Sequence, residues 1–217
     1  MTEQVDRVSP DRPVLYLDPR PDGVDETARL VRRLAATLPG SSGTSLDLDD
    51  YNARLRALVE EAEAATLPGP ERASVMWKFA DVGRFDPISG SENPLAVPVL
   101  AVGQEDGSVV ARATLGIAYQ GPPGHVHGGV SALLLDHVLG MANHWGAGPS
   151  GMTGTLTLRY HAPTPLFAEL TFRAQQEEFT DRKTRTTGTI SIGDPADGGT
   201  VCVSAEGIFI NKFLGRD

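Results

Sequence analysis

Between residues 121 and 136 the chain sets out a turn, Gly121-Pro122-Pro123-Gly124, then His127-Gly128-Gly129, then a helix-patterned run carrying one acid, Asp136. The first N–H groups of a helix have no acceptor within it, and the helix dipole adds partial positive charge there. Glycine at 128 and 129 removes the Cβ atoms that would hold a substrate carbonyl away. These are the ingredients of an oxyanion hole. Asp136 would supply the base or nucleophile. On a wheel advancing about 100° per residue, Gly129, Ala132, Asp136, Gly140 and Asn143 share one arc, so Gly129 and Asp136 can border one cleft. Val130, Leu134, Val138, Met141 and Trp145 share another, and Leu133, Leu135 and Leu139 fill the sides. A helix apolar nearly all round is expected to be wrapped by sheet, which would bury the carboxylate, a costly arrangement unless it is hydrogen-bonded or faces a wet cleft. Such strain marks functional sites.

Other reactive side chains are weaker candidates. His125-x-His127 has the look of a metal pair, but no cysteine lies near it and His137, His144 and His161 have no matching ligand spacing, so no metal is expected. Asn143 and His144 are expected as exposed helix-end residues. Arg182-Lys183-x-Arg185 falls at a turn between strands, where basic residues usually face solvent, yet in an acidic chain such a cluster would attract a phosphorylated ligand. The only cysteine, Cys202, alternates with Val201 and Val203 and reads as packing.

The elements that must position these residues follow from periodicity. Residues 24–38 carry Leu30, Val31, Leu34 and Leu38 at helical spacing. A second helix starts after Asp47–Asp50, carries Tyr51, Leu55, Leu58 and Ala62 on one stripe expected to be buried, and ends at Leu67-Pro68-Gly69-Pro70. Residues 1–70 thus read as an N-terminal extension, an arm of about 22 residues followed by two helices, and 71–217 as the main domain. There the pattern becomes strand-like around 75–80, 95–103, 108–119, 152–160, 166–179, 184–192 and 200–211, broken only by the helix at 129–145. Strands, one helix, then four strands imply an α+β fold.

Composition excludes several classes. With 217 residues, 40% of them hydrophobic, the chain can bury a core. A net charge of −9 argues against binding nucleic acid or anionic membranes. The N-terminus lacks a signal-peptide layout and no apolar run reaches the roughly 20 residues of a membrane span, so a cytoplasmic protein is expected. Neither GxGxxG nor GxxxxGK[ST] occurs.

Taken together, YQGPPGHVHGGVSALLLDHVLGMAN and MTGTLTLRYHAPTPL resemble the hotdog-fold acyl-CoA thioesterases of the PaaI type over about 50 residues. The resemblance implies a curved antiparallel sheet around one long helix, with a homodimer or a dimer of dimers as the assembly and sites between protomers. It implies hydrolysis of an acyl-CoA thioester without a metal or other cofactor. It assigns the oxyanion donor to Gly128 with Gly129 beside it, the acid to Asp136 and the water-holding hydroxyl to Thr153, with His127 orienting the loop or the thioester oxygen. Some relatives carry asparagine six residues before this histidine; here Gly121 stands there, so any amide contribution to binding falls to Gln120. Arg182 and Lys183 become candidates for the CoA phosphates. The alternative is a non-hydrolytic acyl-CoA binding or regulatory protein on the same fold.

Overall fold

The computed structural model describes residues 22–38, 45–76, 82–97, 99–148, 150–195 and 198–211, without the side chains of 73–76. The expected arm, up to residue 21, lies outside them. Helix α1 spans Val24–Thr37. Helix α2, Leu48–Ala65, begins where Asp47 accepts from the N–H groups of Asp49 and Asp50. A third helix, α3, spans Gly69–Met76; proline is well suited to a first helical turn, and Pro70 stands in this one. The strand expected at 75–80 is therefore helix at 75 and 76, and its remainder lies outside the described residues.

Six strands follow: β1 Leu100–Gly103, β2 Ser108–Thr114, β3 Met152–Tyr160, β4 Glu169–Phe179, β5 Lys183–Ile192 and β6 Thr200–Ile210. Helix α4, Gly128–Trp145, interrupts them between β2 and β3. The strands form one antiparallel sheet in the order β1-β2-β4-β5-β6-β3, which leaves β1 and β3 as its edges. Two expected strands are shorter than their apolar runs. Strand β1 starts only at Leu100 because the backbone before it is turned on itself, with Ala96 N–H donating to Asn93 O and Val99 N–H to Val97 O, and β2 gives way after Thr114 to a 3₁₀ turn at Ile117–Tyr119.

The core lies between α4 and one face of the sheet. Leu134, Leu135, Val138, Leu139 and Ala142 are fully buried against Val109, Phe172, Leu170, Ile190, Val203 and Phe209. Strand residues alternate, so Arg173, Thr187 and Glu206 face the other way. Close approach of helix to sheet is permitted at Gly188, where a Cβ would stand 3.1 Å from Leu139 Cδ2.

The sheet packs along one side of α4 and leaves the other open, so the expected burial of the Asp136 carboxylate is only partial. Gly129, Leu133, Asp136 and Gly140 form an open stripe on the far side, with Leu133 44% exposed and Asp136 half-buried. Helix α2 also departs from expectation, since it buries none of its residues. Asn143, expected at the surface, is 1% exposed because Gln176 Nε2 reaches across from β4 to its backbone carbonyl at 3.3 Å. His144 is exposed and Cys202 is buried in the core, as expected; burial pushes the Cys202 thiol pKa up.

Candidate active site

The loop entering α4 is held by its own backbone. Gly121 N–H donates to His125 O at 2.9 Å, His127 N–H to Tyr119 O at 2.9 Å, and Val126 N–H to Thr164 O at 2.8 Å. Gln120 Oε1 accepts from Gly124 N–H at 3.1 Å, so the carbonyl end of this side chain closes the turn and its amide NH₂ remains a donor. A Cβ on Gly121 would stand 2.7 Å from His127 Cα. Glycine at that position is thus required by the tight crossing of the loop, and asparagine cannot simply be exchanged for it.

His127 is the N-cap of α4. Its Nδ1 accepts the Gly129 N–H at 3.0 Å. An accepting Nδ1 carries no proton, so the proton of the neutral ring sits on Nε2. The expected pair of oxyanion donors is thereby narrowed. Gly129 N–H is occupied by the cap, whereas Gly128 N–H has no acceptor among the described residues. Val130 and Ser131 N–H both return to His127 O, at 2.9 and 3.2 Å. Gly128 is therefore the donor left for a ligand.

Tyr160, which the motif contains but which residue type alone did not single out, donates from its phenol to Gly128 O at 2.9 Å. This bond ties the end of β3 to the first turn of α4. The other end of β3 meets the same helix at Asp136. Thr153 Oγ1 donates to Asp136 Oδ1 at 2.9 Å, which fixes the rotation of the carboxylate and leaves Oδ2 for another donor.

Thr153 owes its direction to a β-bulge. In the pairing of β3 with β6, Thr153 faces Phe209 and Thr155 faces Ile208, so Gly154 is an extra residue. Alternation back from the core-facing Leu158 and Leu156 would turn Thr153 outward; the bulge returns it to the helix side. A side chain at 154 would collide with Ile210, whose Cγ1 lies 2.7 Å from the position of a Cβ.

Asp136 and Thr153 line a cavity of about 500 Å³ with His137, Gly140, Met141, His144, Gly151, Met152 and Phe209. Gly128 lines a different cavity of about 430 Å³, with Tyr160, His125, His161 and Pro122 among its walls. Within one chain, Gly128 and Asp136 therefore open onto separate cavities. Eight residues of helix separate Gly128 from Asp136, about 12 Å along the axis, whereas one reacting carbonyl needs its donor and its base each within about 3 Å. His137 is a further residue that spacing did not reveal. Its side chain is about nine-tenths buried, its Nδ1 lies 3.6 Å from Asp86 Oδ1, and its buried Nε2 has no hydrogen-bond partner among the described residues. Burial lowers its pKa, against the opposing pull of Asp86 and Asp136.

Arg182 and Lys183 sit at the β4–β5 turn, fastened by Asn211 N–H to Arg182 O at 3.0 Å. Lys183 pairs with Ile210, which pairs in turn with Met152. The basic turn thus lies at the sheet end where Thr153 begins, two strand spacings or about 10 Å across. His125, raised as half of a metal pair, has Nδ1 within 2.9 Å of Pro123 O.

The family model of the thioesterase superfamily matches residues 123–198, which span the α4 loop and strands β3 to β5. A crystal structure of a thioesterase superfamily protein, RHA08564, superposes with a TM-score of 0.77 at 44% identity, over 93% of this chain and 97% of that one. The chain belongs to the thioesterase superfamily. That match takes in the N-terminal helices as well as the sheet. The fold is the hotdog fold of thioesterases, and it is shared with zebrafish thioesterase superfamily member 2 (TM-score 0.50, 18% identity, 60% of this chain and 96% of that one). A putative thioesterase from Ralstonia eutropha, a phenylacetic acid degradation-related protein, matches with a TM-score of 0.44 at 25% identity over 52% of this chain and 83% of its own. None of the curated proteins matches. Superfamily membership supports thioester hydrolysis as the class of activity. No helix among the described residues is long and apolar enough to cross a membrane.

Proposed function

We propose that this thioesterase superfamily protein hydrolyses acyl-CoA thioesters. The observation that carries this reading is the Thr153–Asp136 bond of 2.9 Å on an open helix face, beside a cavity walled by Met141, Met152 and Phe209. Thr153 holds one carboxylate oxygen, and the other takes the proton of a water as that water attacks the thioester carbonyl. Gly128 N–H, at the positive end of the α4 dipole, receives the oxyanion. Collapse of the tetrahedral intermediate breaks the C–S bond, and the departing CoA sulfur takes up the proton to leave free acid and thiol. His127 keeps the loop in place by capping Gly129, and Gln120 has its amide NH₂ available to the ligand.

The separation of Gly128 from Asp136 favours a site built from two chains. Two α4 helices running antiparallel across a two-fold axis would bring Gly128 of one chain toward Asp136 of its partner, and the open stripe Gly129, Leu133, Asp136 and Gly140 would face that axis. Strand β3 is an uncovered edge along most of its nine residues, the other feature a partner would cover. We read the protein as a homodimer or a dimer of such dimers. The apolar cavity suits the acyl group, and Arg182 and Lys183, at the same end of the sheet, suit the CoA phosphates.

The test is release of free thiol from short, medium, long and aromatic acyl-CoA esters by the purified full chain. Turnover on any of them that disappears in Asp136→Asn supports the reading. Tight binding of acyl-CoA without turnover would assign the chain instead to acyl-CoA binding or regulation.

A further inference from the structure

Helix α2 is 18 residues long and buries none of them. Six of its apolar residues form one stripe, with Val59 beside it. Leu48, Tyr51, Leu55, Leu58, Ala62 and Ala65 succeed one another at intervals of three and four, the a and d spacing of a two-stranded coiled coil. Leu58 is 62% exposed, Leu48, Ala62 and Ala65 are exposed, and Tyr51 and Leu55 are half-buried. A seam of this kind left uncovered calls for a partner helix.

We propose that the occupant is α2 of a second copy of this chain, packed antiparallel across a two-fold axis that passes between Arg56 and Ala57. In that register each layer sets a large residue against a small one or a leucine against a leucine. Leu48 meets the other copy's Ala65, Tyr51 meets Ala62, and Leu55 meets Leu58, and the symmetry repeats each layer. Beside the seam, Arg54 comes opposite Glu61 of the second copy on both sides of the axis. The parallel in-register pairing fares worse. It sets Tyr51 on Tyr51 and alanine on alanine at both 62 and 65, leaving voids, and it places Arg54 beside Val59.

Two helices of 18 residues are marginal partners when free. On chains already joined through their hotdog cores the pairing becomes intramolecular, with an effective concentration in the millimolar range. The proposal therefore rests on the oligomer reading above, but not on the choice of substrate.

The experiment uses cysteine cross-linking in the full chain. Cys202 is buried, and the parent protein serves as the control that it forms no bridge. Leu48→Cys with Ala65→Cys in one chain is expected to give a covalent dimer under mild oxidation. The two positions are about 26 Å apart along one helix, so they cannot bridge within a chain. Leu48→Cys alone is expected to stay unbridged, because antiparallel pairing holds its two copies equally far apart. Glu61→Arg should slow bridging of the double variant several-fold, and adding Arg54→Glu should restore it. Bridging by Leu48→Cys alone, or failure of the double variant to bridge in a chain that light scattering shows to be dimeric, would overturn the proposal. A chain that is monomeric by light scattering would overturn the oligomer reading and this pairing with it. Thiol release by the same variants reads the hydrolase proposal separately.

Discussion

A site shared between chains makes a quantitative demand on mixtures of two inactive variants. Gly128→Pro removes the N–H assigned to the oxyanion and little else. Proline suits the first position of a helix, and His127 before it has φ −62° and ψ 135°, a conformation a residue preceding proline readily adopts. The new Cβ would meet the Tyr160 hydroxyl at 3.3 Å, a contact a tyrosine at a strand end can relieve by a few tenths of an ångström. Loss of one such donor costs about 10²–10³ in kcat. Asp136→Asn keeps the acceptor for Thr153 but loses the base, at about 10²–10⁴ in kcat. When the two variants are refolded together in equal amounts, random pairing makes about half of the dimers hybrid. If Gly128 serves its partner's Asp136, each hybrid holds one site with both defects and one with none, and the mixture recovers about a quarter of wild-type activity. If each chain serves itself, every site carries one defect and activity stays near the parental level of about 1% or less. Thiol release gives the activity, and differently tagged chains show that hybrids form. Hybrids with no recovery would refute the shared site and return Gly128 and Asp136 to separate tasks.

Three further outcomes are expected. Thr153→Val removes the hydroxyl that donates to Asp136 at 2.9 Å; the site is open to solvent, so we expect about a tenfold loss in kcat with KM nearly unchanged, and an unchanged kcat would make Thr153 a sheet residue only. Alanine at both Arg182 and Lys183 should raise KM for acyl-CoA more than it lowers kcat, with wild-type KM rising with salt and the variant's much less so; equal KM values at low and high salt would leave the basic turn a solvated surface. Because burial holds the His137 pKa below its ordinary value of 6.5, the fold takes up this proton less readily than the unfolded chain. Stability from the neutral ring is present above about pH 6.5 and is lost as pH falls through the lower folded pKa. His137→Gln should flatten that acid limb in urea melts between about pH 7 and 5, and an unchanged limb would show that other groups set it.

Much of the site was legible because local chemistry fixed it. His127, Gly128 and Gly129 mark a helix start whatever follows, and the capping bond and the free Gly128 N–H both arise within three residues. Helices α1, α2 and α4 came from apolar spacing with errors of a few residues at their ends. What periodicity did not carry was the third dimension. It shows that α4 is apolar on nearly every face but not which side the sheet leaves open, so it predicts a buried Asp136 where the open stripe leaves the side chain half-buried. Gly129 and Asp136 share an arc and stand about 10 Å apart along the axis, but spacing does not show that the first turn of α4 and Asp136 open onto separate cavities. Asn143 shows the same gap, since its burial depends on Gln176 from a strand 33 residues away.

The bulge at Gly154 joins these strands of argument. An edge strand that kept strict alternation from Leu158 back to Met152 would point Thr153 away from α4, and the carboxylate of Asp136 would lose its fixed partner. One extra glycine reverses the face of everything that precedes it. The same residue lies on β3, the edge we expect a second chain to cover, so the device that aims the hydroxyl also bends the strand a partner must meet. In the sequence TGTLTL the threonines at 153, 155 and 157 look equivalent at period two. Only the pairing with β6, in which residue 154 is skipped, separates the one that reaches the acid from the two that face outward. A strand's own pattern cannot record such a skip; it is written in the neighbour's register.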